Sequence, residues 1–299
     1  IWTLEQASYY QGIGEWPKPT LTRELYTWGS GSNGQLGLGF AESVNVSSPT
    51  QVGSLITWSK VSGAGRNAFS FAIKPDNTLW TWGLNTSGQL GTNDLLSRSS
   101  PVQIGALTNW AEVSTNTLTS LAVKTDGTLW AWGLNNNGAV GNNNLSNPYV
   151  EVSSPIQIGA NTNWYKVAAG DGFSLALKTD GTMWSWGKND SLTGKLGQND
   201  IIYRSSPTQI GSLTTWAVIA AGERVGLAVK TDGTIWTWGN QNFGRLGNNV
   251  SANAGVSSPI QIGALTNWST PNLGSEGSFA IKTDGTLWGW SSGGNGRLG

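Results

Sequence analysis

The 299-residue chain has no cysteine and no histidine, one methionine, and charged residues at only 11%. Without cysteine and histidine there is no Ser-His-Asp or Cys-His triad, no thiolate or imidazole metal centre and no disulfide framework. The lack of cysteine also suits assembly in a reducing cytoplasm. Lys and Arg number 17 and Asp and Glu 17, a formal net charge of zero. No basic surface stands ready to neutralise phosphates, so nucleic acid is not expected as a partner. No apolar run approaches the roughly 18 residues of a membrane-spanning helix. The start, Ile1-Trp2-Thr3-Leu4-Glu5, has neither Met nor a signal peptide and reads as part of something longer. In excess are glycine, with 42 residues, and tryptophan, with 18. Glycine at about 14% is twice its usual share, the mark of a turn-rich chain.

The tryptophans are periodic. Trp-Gly recurs at Trp28, Trp82, Trp132, Trp186 and Trp238, with Trp290 following, at intervals of 54, 50, 54, 52 and 52 residues. Ser-Ser-Pro-x-Gln-x-Gly begins at Ser47, Ser99, Ser153, Ser205 and Ser257, and another Trp follows each by 11 residues. The turn Lys-Thr-Asp-Gly-Thr starts at Lys124, Lys178, Lys230 and Lys282, with a Lys74-Pro75-Asp76-Asn77-Thr78 variant, always 8 residues before a core Trp. Repeats near 50 residues point to propellers, solenoids or arrays. Short alternating runs such as Ser120–Lys124 and Thr128–Trp132, joined around Asp126-Gly127, read as β-hairpins. Each unit then has four strands: one after the Ser-Ser-Pro, one at the following Trp, one ending at the Lys and one carrying Trp-x-Trp. Four-stranded units at this period make an all-β propeller. Sixteen tryptophans fall on these strands, leaving Trp2 and Trp16 outside, and large apolar rings so placed are expected to be core.

These residues resemble RCC1-type repeats, whose signature Trp-Gly-x-Asn-x-x-Gly-x-Leu-Gly appears at Trp82–Gly91 and in similar form at Trp28–Gly37, Trp132–Gly141, Trp238–Gly247 and, with an expansion, Trp186–Gly197. The resemblance spans residues 25–299 and implies a propeller of six blades, or seven if the chain continues. Five full repeat units run from Ser47 to Trp290, and Leu25–Trp28 is an orphan first strand; residues 1–24 are a linker or anchor. Where the family usually has histidine, this chain has Phe69, Thr119, Phe173, Val225 and Gly277. No insertion is long enough for the wedge of the nucleotide-exchange members, so that activity is set aside. Residues 1–17 resemble a short element of tailed-phage virion proteins, and the regular Lys-Thr-Asp-Gly-Thr-Leu-Trp wording is similar to bacterial and phage versions of the repeat.

Constant spacing marks scaffold, and variable spacing marks tolerance. From the signature glycine to the next Ser-Ser-Pro the steps are 10, 8, 12, 8 and 10 residues; the Trp58-to-Lys74 step is longer than its sisters by two, near Arg66; and the fourth signature gains two residues at Asp190–Gly194. With alternating strands, all of this variation falls on one face. Its loops carry Phe40, Glu42, Arg66, Leu95, Leu96, Arg98, Tyr149, Glu151, Asp190, Ile201, Ile202, Tyr203 and Arg204. Aromatic, aliphatic and Arg groups together suit a contact surface; the commoner arrangement is for such apolar residues to tuck under their own loops.

Other signals are weaker. Gly29-Ser30-Gly31-Ser32-Asn33-Gly34 spells a dinucleotide fingerprint, but no helix is expected after it. Asp76, Asp126, Asp180, Asp232 and Asp284 are expected to serve their turns. No catalytic, cofactor or metal residues are expected. The reading is a non-enzymatic structural and recognition module of a virion, a tailed-phage structural or host-contact protein. Its expected partners are other virion subunits and a host-surface protein or glycan, and an oligomer is compatible with it. The alternatives are a bacterial secreted or cell-surface adhesion propeller, and, further off, a carboxylate-based glycan hydrolase or a nucleotide-exchange factor.

Overall fold

A computed structural model describes residues 23–40, 44–53, 57–64, 68–144, 150–190, 193–274 and 277–291. The described strands form six antiparallel sheets. An opening sheet pairs β1 (Tyr26–Gly29) with β2 (Val46–Gln51). Blade one comprises β3 (Lys60–Ala64), β4 (Phe69–Ile73), β5 (Leu79–Gly83) and β6 (Arg98–Gln103). Blade two comprises β7 (Trp110–Asn116), β8 (Thr119–Lys124), β9 (Leu129–Leu134) and β10 (Glu151–Gln157). Blade three comprises β11 (Trp164–Ala169), β12 (Phe173–Lys178), β13 (Met183–Gly187) and β14 (Arg204–Gln209). Blade four comprises β15 (Trp216–Ala221), β16 (Val225–Lys230), β17 (Ile235–Asn240) and β18 (Gly255–Gln261). Blade five has three described strands, β19 (Trp268–Leu273), β20 (Ser278–Lys282) and β21 (Leu287–Trp290). The molecule is a β-propeller of four-stranded blades, five of them with a partial sixth.

Blade boundaries differ from the repeat units expected from the sequence. The Ser-Ser-Pro strand pairs with the Trp-x-Trp strand before it, as in Trp80 opposite Gln103 and Trp130 opposite Gln157. It is therefore the outer strand of the preceding blade. Consequently Leu25–Trp28 is no orphan, because Tyr26 pairs with Gln51, and the last unit is a blade with three described strands.

The inner strands β3, β7, β11, β15 and β19 surround a central cavity of about 460 Å³, walled by small groups such as Ser62, Ser114, Ala168 and Ala220. Successive blades are stitched there by side chains: the Ser62 Oγ accepts the Thr115 N–H, and the Ser114 Oγ accepts the Ala169 N–H. Middle strands are covered on both faces, which is why Thr119–Lys124 is buried along its whole length. The core lies between blades; Phe71, Leu79 and Leu90 of blade one share a cluster with Trp110, Ala122 and Trp132 of blade two.

Two clamps explain the constant spacings. In the first, the signature loop of one blade receives the core Trp of the next. The indole N–H of Trp82 donates to the Gln35 carbonyl at 2.8 Å, Trp132 to Gln89 at 2.9 Å, Trp186 to Ala139 at 2.9 Å, Trp238 to Lys195 at 2.7 Å and Trp290 to Arg245 at 3.0 Å. The closing glycine lies flat against the same ring; a Cβ on Gly91 would sit 2.7 Å from the Trp132 indole nitrogen. In the second, on the opposite face, the backbone N–H of Trp164 donates to the Gly127 carbonyl, that of Trp216 to Gly181 and that of Trp268 to Gly233.

The Lys-Thr-Asp-Gly-Thr-Leu-Trp wording is a relay. Asp126 accepts both the N–H and the hydroxyl of Thr128, and Thr128 accepts the Trp130 indole N–H at 2.8 Å. Lys124 Nζ lies 3.4 Å from the centre of the Trp130 ring and 4.8 Å from that of Trp110. Trp110 and Trp130 meet edge to face at 6.0 Å. The indole N–H of Trp110 and of its counterparts Trp58, Trp164, Trp216 and Trp268 has no oxygen acceptor among the described residues; each of these rings meets its Trp-x-Trp neighbour edge to face.

Not every strand Trp is core. Trp82, Trp132, Trp186 and Trp238 are fully buried, and Trp80, Trp130, Trp184 and Trp236 are half-buried under the lysines. Trp28 and Trp288 are exposed at 60% and 49%; among the described residues no signature loop receives Trp28 and no outer strand pairs with the strand that carries Trp288.

Candidate recognition face

Antiparallel pairing throughout each blade puts the loops between its first and second strands, and those between its third and fourth, on one face. That is the face of variable loop length. Two of its loops are built alike. In blade one, Asn85 is fully buried: its Oδ1 accepts the Leu90 N–H at 2.9 Å and its Nδ2 donates to the Asp94 carbonyl at 2.9 Å. Asp94 accepts the Leu96 N–H at 3.0 Å, the Thr92 hydroxyl at 2.9 Å and Arg98 Nη2 at 2.6 Å, while Arg98 Nη1 donates to the Leu96 carbonyl. Partial burial of the Asp94 carboxyl pushes its pKa up, but the bonds from Leu96, Thr92 and Arg98 outweigh this and hold it below the usual carboxylate range. Blade three repeats the bracket. Asn189 donates to the Asp200 carbonyl, Asp200 accepts the Ile202 N–H at 2.9 Å and pairs with Arg204, and Arg204 donates to the Ile202 carbonyl at 3.0 Å.

Each bracket presents two aliphatic side chains to solvent. Leu96 is 66% and Ile202 61% exposed, with Leu95 and Ile201 also exposed. These residues do not tuck under their loops. The reason is that Asp94 and Asp200 turn the backbone inward and fill the space beneath with hydrogen bonds. Arg98 and Arg204 serve their own loops and are half-buried. Phe40 is exposed on the corresponding loop of the opening sheet. Glu151 is exposed at the start of β10, and Tyr203 is half-buried beside Arg204. Glu42, Arg66 and Tyr149 lie outside the described residues.

Asp190 accepts the Thr193 hydroxyl and pairs with Lys188 at 3.2 Å. Desolvation raises its pKa, yet the bonds from Thr193 and Lys188 bring it below the usual carboxylate range. Lys195, 2% exposed, donates to the Asp171 carbonyl at 2.9 Å, and burial lowers its pKa. Among the described residues no group of three or more acidic, His or Cys side chains could hold a metal ion. After Gly29–Gly34 comes a turn, as expected, and not the helix a dinucleotide site requires.

Sequence reasoning missed Phe243. It is 59% exposed on the same face, at φ 59° in a left-handed conformation that a bulky residue rarely adopts. The available signal was its position: Asn33, Ser87 and Asn137 occupy the equivalent signature site.

The fold and this face define a class, a tryptophan-clamped propeller with conserved-length turns on one side and variable loops on the other. The model of the regulator of chromosome condensation (RCC1) repeat matches residues 24–70, 76–122, 126–177, 180–229 and 232–281, and the chain belongs to that family. It is 26% identical over 283 residues to E3 ubiquitin-protein ligase HERC2 of Mus musculus, covering 92% of this chain and 6% of the relative. Against the mitochondrial RCC1 domain-containing protein RUG3 of Arabidopsis thaliana it is 27% identical over 293 residues, 94% of this chain and 64% of that one. With the probable E3 ubiquitin-protein ligase HERC4 of Mus musculus the identity is 35% over 283 residues, again 92% of this chain but 26% of the ligase. The chain thus spans less than two thirds of these relatives. Human WBSCR16 superposes with a TM-score of 0.77 at 20% identity, over 90% of this chain and 73% of that one. Prp20p of Saccharomyces cerevisiae, described with its binding to Gsp1p and histones, gives 0.73 at 23% identity over 89% and 65%. At these identities the structures share the fold.

Proposed function

We propose that this chain is a non-enzymatic structural and recognition module whose variable face docks on a protein partner. The observation that carries this is the pair of bracketed loops with outward aliphatic tips at Leu95-Leu96 and Ile201-Ile202. Tips already fixed by their own Asp–Arg pairs lose little conformational freedom on binding. Phe243 adds an aromatic anchor held in a strained backbone, a pattern met at contact sites. Binding of proteins by the structural neighbour Prp20p supports the same partner class.

The finer reading is a subunit of a tailed-phage virion, contacting neighbouring subunits or a host-surface protein or glycan. It rests on the wording of the repeat and on residues 1–17, which lie outside the described residues; the relatives named above come from mouse and Arabidopsis. A bacterial cell-surface adhesion propeller is the alternative owner of the same face. For the ring, six blades is the closure we favour. Five signature loops each seat the core Trp of the next blade, and Trp28 is a sixth such Trp, exposed and without a loop to seat it among the described residues.

Co-sedimentation of the chain with purified virions tests the assignment. The Leu96→Ser/Ile202→Ser double variant should fold normally and lose at least about tenfold in bound fraction, as when contact anchors are removed. Binding that is absent in the parent chain would refute the virion placement. Binding that survives the double substitution would refute the face. Glycan turnover abolished by Asp190→Asn or Asp200→Asn would favour a hydrolase instead.

A further inference from the structure

Between blades one and two, beside their outer strands β6 and β10, lies a groove of about 720 Å³. Sites for small ligands span roughly 300–1,000 Å³ and combine apolar walls with a few convergent polar groups. Val102, Ile104 and Leu107 line this groove from blade one, and the half-buried Trp130 and Pro155 line it from blade two. At the next interface the equivalent of Val102 is Ile156, whose longer side chain packs into the cluster shared by blades two and three. Val102 is a methylene shorter.

The polar groups of the groove are held in place with capacity to spare. Gln157, Gln209 and Gln261 each fold back to donate to the carbonyl of the glycine two residues on, at 3.0–3.1 Å. Gln103, the same residue of blade one, has no side-chain partner among the described residues and lines the groove. Asn93 is fixed by its N–H on the Ser153 carbonyl at 2.8 Å and by its Oδ1, which accepts the Ser154 hydroxyl at 2.9 Å. Its Nδ2 has no acceptor among the described residues. The Trp130 indole N–H is given to Thr128 at 2.8 Å, so this ring offers the groove apolar surface alone. Arg98 is the one charged residue among those that line the groove, and Asp94 pairs with it at 2.6 Å.

We propose that this groove binds a neutral sugar, a pyranose ring of an uncharged glycan. A pyranose presents C–H groups on one face and hydroxyls around its edge. The C–H face covers the Trp130 ring, which supplies a large apolar area in a fixed position. The hydroxyls pair with the Gln103 amide, which both donates and accepts, and with the Asn93 Nδ2, which donates. A wholly apolar ligand would strip water from those amides and give no hydrogen bond in return. An acidic sugar would bring a carboxylate into a groove whose guanidinium is already paired. The site adds a second class of ligand to the recognition reading and does not rest on the aliphatic loop tips.

The probes are maltotriose, cellotriose, triacetylchitotriose and lactose, each titrated into the 299-residue chain by calorimetry and by saturation-transfer NMR. At least one should bind saturably, with transfer to its ring C–H protons. Trigalacturonate, which carries a carboxylate on every ring, should bind at least about tenfold more weakly. Val102→Ile extends a half-buried strand residue into the groove, as Ile156 extends at the next interface. It should keep the parent's thermal midpoint and lose at least about tenfold in affinity. Gln103→Ala removes an exposed side chain that has no partner, and should also keep the midpoint while weakening binding by about tenfold. The Leu96→Ser/Ile202→Ser variant should bind the sugar as the parent does, which separates failure of this groove from failure of the docking face. The proposal is overturned by no saturable binding of any neutral sugar, by trigalacturonate binding as tightly as they do, or by undiminished binding in Val102→Ile and Gln103→Ala.

Discussion

Strands β9 and β21 have nearly the same sequence, Leu129-Trp130-Ala131-Trp132 and Leu287-Trp288-Gly289-Trp290, and the same hairpin before them. In both, Asp accepts the Thr hydroxyl at 2.6 Å, Thr accepts the Trp indole, and Lys sits over the ring, at 3.4 Å in one and 3.8 Å in the other. Yet Leu129 is completely buried and Leu287 is 68% exposed. The hairpin is therefore written locally, and the burial is contributed by neighbours. Each repeat cannot bury its own apolar faces, so stability accrues at the interfaces between repeats.

If so, equivalent residues should differ sharply in cost. Trp132→Ala removes a fully buried ring and its clamp to Gln89, and should destabilise by about 3–5 kcal/mol in chemical denaturation. Trp290→Ala, at the equivalent position but only half-buried, should cost less; equal losses would break the contrast. Next in size is Gly91→Ala. Its φ is +74° and its Cβ would press on the Trp132 indole at 2.7 Å, so roughly 2 kcal/mol or more is expected from strain and lost packing. Gly105, at φ +58° with nothing within 4 Å, isolates the backbone part alone, about 1 kcal/mol on conversion to Ala.

Much of this architecture was legible in sequence because its signals are local: Asp126-Gly127 turns, Trp-x-Trp strands, a fixed 11-residue step, and the alternation that puts variable loops on one face. Blade phase was not. The connections on either side of Ser99, 8 residues back to Gly91 and 11 onward to Trp110, are both too long for a tight hairpin. Only the ladder of Trp80 to Gln103 decides which neighbour the strand joins. The outward turn of Leu96 and Ile202 was also hidden, although Asp94-x-x-x-Arg98 and Asp200-x-x-x-Arg204 spelled its cause. An exposed tip held by a polar bracket has no hydrophobic period to betray it, and the left-handed backbone of Phe243 leaves no mark in composition.

The turns make an acid-range comparison within each blade. Hydrogen bonds from the Thr78, Thr128 and Thr182 side chains, then from their N–H groups, hold Asp76, Asp126 and Asp180 below the usual carboxylate range. A carboxyl whose folded pKa is depressed adds stability above its unfolded pKa, and loses it as pH falls through the folded value. The thermal midpoint should therefore drop as pH falls below about 4, the ordinary carboxylate value. Thr128→Val should flatten that slope as well as lower stability at neutral pH. Smaller again is Phe243→Asn, which relieves a left-handed phenylalanine and should raise stability by about 1 kcal/mol. It should also weaken any contact made by the variable face, so an unchanged stability would mean that the position carries no strain.

The smallest effect is the most discriminating. Leu287→Ser replaces an aliphatic residue that is 68% exposed, and surface changes of this kind stay within about 0.5 kcal/mol. The same change at Leu129, completely buried between blades two and three, leaves a cavity and an unpaired hydroxyl and should cost about 3–5 kcal/mol. The two leucines share a hairpin, a register and a Trp neighbour, so propensity and turn chemistry cancel in the difference. What remains is the cover given by the outer strand and the next blade. A large loss for Leu287→Ser would mean that this edge is already covered in solution.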